Sequence, residues 1–233
     1  MQDQIQLTTN PPAAPDAPRE PHSQTDTRLT FAHWLAITTT RLFSRIWLRV
    51  SIEHVDRVPK TGPVLILSTH TSFFDPPIVG AHVPRPCHYL SREGILKVPL
   101  LGSFCKQCNA HPIRRGAGDR EAIRTCRDVL RQGWPLVFFP EGTRSRDGRL
   151  GPIQGGFAMI LDGLEGVPYV PVLAQDTYGV LRRGWFFPRP RKVRITYGEP
   201  AYLPARSQGE KAREYFDRCR QELESRLREL GAR

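Results

Sequence analysis

Val64-Leu65-Ile66-Leu67-Ser68 decides the fold. The run opens after Thr61-Gly62-Pro63 and passes directly into Thr69-His70-Thr71-Ser72-Phe73-Phe74-Asp75. A short apolar run bounded by turn residues, with no polar alternation, reads as a strand covered on both faces. Polar side chains that follow such a strand stand at its carboxyl end, where open α/β sheets carry their chemistry.

The same reading recurs outward from this strand. Leu136-Val137-Phe138-Phe139, after Gly133-Trp134-Pro135, reads as another buried strand. Tyr169 to Leu173 gives a further one, His88-Tyr89-Leu90 a weaker one, and Val193 to Tyr197 alternates with a period of two. Between them, Asp119 to Arg131 reads as a helix with Ile123, Cys126, Val129 and Leu130 on one side, and Gly156 to Leu164 as a second. Ser207 with Glu210 reads as a capping box opening a long helix through Leu230, with Gly231 just past its end. That helix carries the stripe Ala212, Tyr215, Phe216, Cys219, Leu223, Leu227 and Leu230. Strands alternating with helices predict an α/β fold, a mostly parallel central sheet flanked by helices.

Thr40 to Val50 reads as an amphipathic helix in an N-terminal segment over residues 29–50. Arg41, Arg45 and Arg49 lie on one face, and Leu42, Phe43, Ile46, Trp47 and Val50 on the other. Such a helix either covers the core or rests on a bilayer surface. Residues 1–28 are rich in proline and lack Phe, Tyr and Trp, so they read as a disordered tail before a single domain over residues 29–233. Thr61 to Phe74, the longest uncharged run, is shorter than the ~20 apolar residues of a spanning helix and contains Pro63 and His70. Met1 to Arg28 has no apolar stretch of the kind a signal peptide needs. The expectation is a cytoplasmic protein that meets membranes peripherally.

The formal net charge is +11, carried mostly by arginine, which favours an anionic partner. The 5 cysteines, an odd number, point to reduced thiols. Cys105-Lys106-Gln107-Cys108 is a CxxC with His111 close behind, but no second cysteine pair completes a four-ligand zinc site. Buried, inert thiols are the expected state.

Three loops carry candidate chemistry. His70 and Asp75 are five residues apart and cannot share a helical face, but a turn would bring the carboxylate back to the imidazole. Asp75 would then fix the tautomer and leave the other ring nitrogen as base. Pro140-Glu141-Gly142-Thr143-Arg144-Ser145 follows a predicted strand with a glycine for close approach and donors suited to an anion. Pro112-Ile113-Arg114-Arg115-Gly116 places two guanidiniums at the end of another predicted apolar edge. Ser72, beside His70, is an alternative nucleophile for a covalent mechanism, although Gly-x-Ser-x-Gly is absent.

The combination resembles the glycerolipid acyltransferase family, of the 1-acyl-glycerol-3-phosphate acyltransferase type. The family's His-x4-Asp pattern matches His70 and Asp75, and its Phe-Pro-Glu-Gly-Thr-Arg-Ser block matches Phe139 through Ser145. Its arginine block matches residues 112–116, and its Val-Pro-Val block matches Val170-Pro171-Val172. Thr69 stands where the family often has Asn, and Asn109 and His111 stand where it often has Gly and Phe. The first departure bears on support of the catalytic loop, the second on the shape of the acceptor site.

The resemblance implies transfer of a fatty acyl group from acyl-CoA or acyl-carrier protein to lysophosphatidic acid, giving phosphatidic acid. His70 would act as general base and Asp75 would orient it. Arg115, Gly142, Thr143 and Arg144 would hold the acceptor phosphate, and Glu141 would bind acceptor hydroxyls or brace the arginines. No metal or organic cofactor is implied, because the thioester is already activated. The implied partners are a lysophospholipid, the acyl donor and an anionic membrane surface. Arg182 to Lys192, with Trp185, Phe186 and Phe187 between basic clusters, is a candidate docking loop. The competing readings are another lysolipid acceptor and a non-catalytic phospholipid-binding domain. Nucleic-acid binding is suggested by charge alone and is not expected, since no recognition motif accompanies it.

Overall fold

The computed structural model describes residues 31–113, 119–181 and 187–233. The elements, in order, are α1 (Phe31–Ile46), β1 (Ser51–Glu53), β2 (Val64–Ser68), α2 (Asp75–His82), β3 (His88–Arg92), α3 (Glu93–Leu96), α4 (Leu101–Gln107), β4 (Ala110–Ile113), α5 (Asp119–Arg131), β5 (Pro135–Phe138), α6 (Gly156–Leu161), β6 (Tyr169–Gln175), β7 (Arg194–Tyr197) and α7 (Ala212–Glu229). The strands form one 7-stranded sheet in the order β1-β7-β6-β2-β5-β3-β4. From β6 to β4 every pairing is parallel. β7 pairs antiparallel with β6, and β1 runs parallel to β7.

Every residue of β2 is buried. Val64 and Ile66 pack with Ile78 and Val79 of α2, while Leu65 and Leu67 pack with Cys126 and Leu130 of α5, Phe157 of α6 and Leu223 of α7. Successive side chains of a strand point to opposite faces, so one uninterrupted apolar run feeds two cores. Each such side chain contributes about 1.5–3 kcal/mol on full burial. The predicted α/β class and the strands at 64–68, 136–139 and 169–173 match the observed β2, β5 and β6 to within a few residues.

The long C-terminal helix starts later than the sequence suggests. Ser207 donates its N–H to Glu210 Oε2 at 3.0 Å, but Gly209 adopts φ 79°, which interrupts a helix there. α7 begins instead after Lys211, whose N–H donates to Glu214 Oε2 at 3.4 Å. Tyr215, Cys219, Leu223 and Leu227 form its buried stripe. At the far end Gly231 donates to Arg228 O and Ala232 to Leu227 O, a Schellman closure around φ 101° at Gly231.

α1 also differs from expectation. It runs earlier and stops at Ile46, after which Arg49 adopts φ 43° and Leu48 turns fully into the core. The row Arg41, Arg45, Arg49 is therefore broken at its last member. The helix buries His33, Ala36 and Ser44, a small and polar set. Arg41 Nε donates to Ala81 O at 2.6 Å, and Ser44 Oγ lies 3.3 Å from His82 Nε2, which fixes α1 against α2. Phe31, Trp34, Leu35, Leu42 and Ile46 face outward and are exposed. The expected tail over residues 1–28 lies outside the described residues.

At the β3–β4 edge, His88 Nδ1 lies 2.9 Å from His111 Nε2, and the His88 ring stacks on Trp134. His88 Nε2 is buried without a hydrogen-bond partner. Burial, helped by the neighbouring imidazoles of His111 and His33, lowers the His88 pKa to about 4. Between its ordinary value of 6.5 and about 4, the unfolded chain binds a proton that the folded chain refuses. Stability should thus be fully present above that window and fall as pH drops through it, by about 2 kcal/mol at pH 5. Urea melts at pH 7 and pH 5 check this, and His88→Phe should flatten the difference.

Candidate active site

The site is built where β2, β5 and β6 reach their carboxyl ends. Thr69 donates its N–H to Val172 O at 3.1 Å, and its Oγ1 accepts the Ala174 N–H at 3.0 Å, tying the chain after β2 to β6. His70 donates its N–H to Glu141 Oε1 at 2.7 Å, and its carbonyl accepts the Ser145 N–H at 2.7 Å. Thr71 Oγ1 lies 2.6 Å from Thr177 Oγ1, both buried. The loop is thus held from both sides. Thr69, in the position where the family often has Asn, supports it through β6.

Between His70 and Asp75 the chain makes the expected turn. Asp75 Oδ2 accepts the N–H of Thr71 at 2.7 Å and of Ser72 at 2.6 Å, and lies 3.1 Å from His70 Nδ1. Asp75 is fully buried at the first turn of α2, where a negative charge is favoured by the helix dipole. Pro76 and Pro77 follow it in that turn, where a missing N–H leaves no helical bond unmade. Against an ionised carboxylate Nδ1 carries the proton and donates it, so Nε2 keeps its lone pair. The His70 side chain is 18% exposed and its ring stacks on Phe139 with centroids 4.2 Å apart. One imidazole nitrogen is therefore committed to Asp75, and the other is available as a base.

Glu141 is 6% exposed. Its Oε1 accepts from His70 N–H, and its Oε2 accepts the Gly151 N–H at 2.9 Å. Burial pushes its carboxyl pKa up, and these two backbone bonds pull it back down. Both oxygens thus serve backbone donors within the loop, beside the contact with acceptor hydroxyls or arginines that the resemblance implies. A Cβ at Gly151 would stand 2.8 Å from Glu141 Oε2, so the close approach needs glycine. Gly142 adopts φ 68° and turns the chain outward. Gly142, Thr143 and Arg144 are exposed on that turn, and Arg144 makes no hydrogen bond or ion pair among the described residues.

Arg114 and Arg115 lie outside the described residues, as do Trp185 and Phe186. Ser72 is buried, and its Oγ accepts the Phe74 N–H at 3.3 Å, with no hydrogen bond to His70. Cys105 and Cys108 are free thiols. Among the described residues no group of three or more His, Cys, Asp or Glu side chains is arranged to hold a metal. Sequence reasoning missed Gly151 and Thr177. The first is separated from its partner by ten residues of loop. The second lies in a three-residue 3-10 turn with no motif of its own.

Comparison with known proteins bears on this constellation. The chloroplastic 1-acyl-sn-glycerol-3-phosphate acyltransferase of Brassica napus is 28% identical over 160 residues, covering 67% of this chain and 46% of the relative. The Bacillus subtilis 1-acyl-sn-glycerol-3-phosphate acyltransferase is 25% identical over 191 residues, covering 78% of this chain and 91% of the relative. The chain thus spans under half the length of the chloroplastic relatives it matches. The crystal structure of PlsC from Thermotoga maritima, a 1-acyl-sn-glycerophosphate acyltransferase, superposes with a TM-score of 0.64 at 25% identity. That match covers 86% of this chain and 82% of the other. A match to the Acyltransferase family extends over residues 49–175, more than half of the chain and inclusive of His70, Asp75 and the Glu141–Ser145 turn, and on it the chain belongs to that family.

Proposed function

We propose that this chain transfers a fatty acyl group from acyl-CoA or acyl-carrier protein to the free hydroxyl of lysophosphatidic acid, giving phosphatidic acid. The observation that carries this is the His70–Asp75 pair, with Nδ1 committed to a buried carboxylate at 3.1 Å. In this reading Nε2 removes the proton from the acceptor hydroxyl as its oxygen attacks the thioester carbonyl. The imidazolium, stabilised by Asp75, returns the proton to the departing thiolate. The backbone and side-chain donors of Gly142, Thr143 and Arg144 bind the acceptor phosphate, on a turn joined to the base by the Ser145 to His70 hydrogen bond. Arg115, from outside the described residues, shares that role.

The test offers labelled acyl-CoA and acyl-carrier protein against lysophosphatidic acid, other lysophospholipids and monoacylglycerol, with products identified by mass. Phosphatidic acid should dominate, and monoacylglycerol, which lacks the phosphate, should be the poorest acceptor. Turnover that is indifferent to the phosphate would overturn the acceptor assignment.

The acceptor lies in a membrane, and α1 is the element suited to meet it. No helix among the described residues is long and apolar enough to cross a bilayer. α1 packs Phe43 on the core with the buried His33, Ala36 and Ser44, but turns Phe31, Trp34, Leu35, Leu42 and Ile46 outward. That is more apolar surface than a helix built only to cover a core would leave exposed. Trp47 Nε1 donates to Pro188 O at 3.0 Å, which places the exposed Phe187 loop beside the helix end. Trp34→Ser/Leu35→Ser/Leu42→Ser should lose most co-sedimentation with anionic liposomes while its thermal melt stays close to wild type, since these residues support no core. A folded triple variant that still sediments fully would exclude α1 as the anchor.

A further inference from the structure

Arg120, Arg124, Arg127 and Arg131 are spaced so that all fall on one face of α5. They line an open groove of about 320 Å³ together with Ile123, Met159 and Phe216. Arg127 is used within the fold. It donates to the carbonyls of Met159 at 2.6 Å, Ile160 at 3.2 Å and Asp162 at 2.7 Å, and so fixes the end of α6 against α5. Arg131 pairs with Asp128 at 3.5 Å. Arg120 and Arg124 are exposed and make no hydrogen bond or ion pair among the described residues. Asp162 is the one acidic residue lining the groove, against the four guanidiniums.

The groove's position limits what it can meet. α5 belongs to the core on one face of the sheet, with Leu65 and Leu67. α1 packs on the other face, where its Phe43 meets the core of Ile66 and Ile78. If α1 lies against the bilayer, the arginine row looks toward water, away from lipid headgroups. α5 also follows the parallel strand β4 within a few residues, so its first turns stand at the carboxyl edge of the sheet, the edge that carries His70. A groove of guanidiniums and apolar side chains complements an acidic amphipathic helix, whose carboxylates meet the guanidiniums while its apolar ridge fills the groove.

We propose that this groove docks the acidic helix of an acyl-carrier protein and so delivers the acyl thioester to His70. The proposal rests on the acyl-transfer reading above and names the donor it left open. The chemistry is unchanged: the acyl carbon–sulfur bond breaks, the carbon–oxygen bond forms, and the carrier leaves as its free thiol.

The experiment compares palmitoyl-acyl-carrier protein with palmitoyl-CoA as donors for wild type and for Arg120→Glu/Arg124→Glu. Both positions are exposed, and at position 120, in the first helical turn, a glutamate also suits the helix dipole, so the fold should persist. The KM for the carrier-linked donor should rise by about tenfold or more while that for palmitoyl-CoA stays within about twofold. Equal effects on both donors, or none, would overturn the proposal. Binding of the unloaded carrier protein, followed by fluorescence anisotropy, is independent of turnover. A wild-type protein that uses palmitoyl-CoA but does not bind the carrier overturns the docking site and leaves the reaction standing. One that binds the carrier through these arginines but transfers from neither donor supports the docking site and overturns the reaction. A double variant that keeps carrier binding but loses anionic liposomes would assign the row to headgroups and overturn the proposal.

Discussion

His70→Ala is expected to reduce acyl transfer by ~10²–10⁴-fold while the melting temperature stays near that of wild type. The ring is partly exposed and makes one side-chain hydrogen bond, so its loss leaves the backbone bonds to Glu141 and Ser145 in place. Asp75→Asn should also lower turnover strongly. The amide oxygen can still accept from Thr71 and Ser72, but the amide stabilises neither the correct tautomer nor the imidazolium. Ser72→Ala should retain transfer, because the Ser72 hydroxyl does not reach His70. Initial rates with labelled acyl-CoA measure all three. Near-normal turnover in a folded His70→Ala protein, or complete loss in a folded Ser72→Ala protein, would sink the general-base mechanism.

Glu141→Ala should affect both the fold and the rate. It strands the N–H groups of His70 and Gly151, and hydrogen bonds to a charged acceptor contribute about 1.5–3 kcal/mol each. Because the carboxylate is itself costly to bury, the net loss of stability should lie near the lower end of that range. If these loop bonds are its whole role, kcat should fall while the acceptor KM changes little. Gly151→Ala should move both in the same direction by crowding Oε2. A raised acceptor KM with unchanged kcat would instead assign Glu141 to substrate binding. Denaturant melts and steady-state kinetics on the same preparations separate these outcomes.

The contrast between Glu141 and His70 marks what sequence can convey. The His70–Asp75 contact is local, six residues from first to last, and the chemistry of the two side chains requires a turn. Glu141 finds its partners on the backbone of distant segments, and a backbone N–H has no sequence signature. β2 was legible because two cores make it apolar at every position. β1 was not, because a three-residue edge strand with a half-exposed pattern carries too few contacts to shape its composition. β4 contains Pro112, which argues against a strand except at a sheet edge, and an edge is where it lies. α2 opens with Asp75-Pro76-Pro77, a sequence that reads as a loop until the prolines are placed in the first helical turn. α1 was misplaced along the chain because its apolar periodicity belongs to its outward face, whereas burial is set by His33, Ala36 and Ser44. Arg144 was legible as a residue type, but Arg115, proposed to share its role, lies outside the described residues.

The hydrogen bonds that hold the loop of His70 and Asp75 span sequence separations of 71 residues to Glu141, 105 from Thr69 to Ala174 and 106 from Thr71 to Thr177. Contacts of that range bear a large closure entropy and form late in folding. During synthesis, the histidine and aspartate precede the strand end and threonine that hold their loop by about a hundred residues. A ribosome-stalled chain ending at Leu164 would carry both members of the pair and none of their support from β6. The support of His70 and Asp75 is therefore tied to the making of β6 and the turn after it, and a chain that stops short of them holds the pair on an unbraced loop.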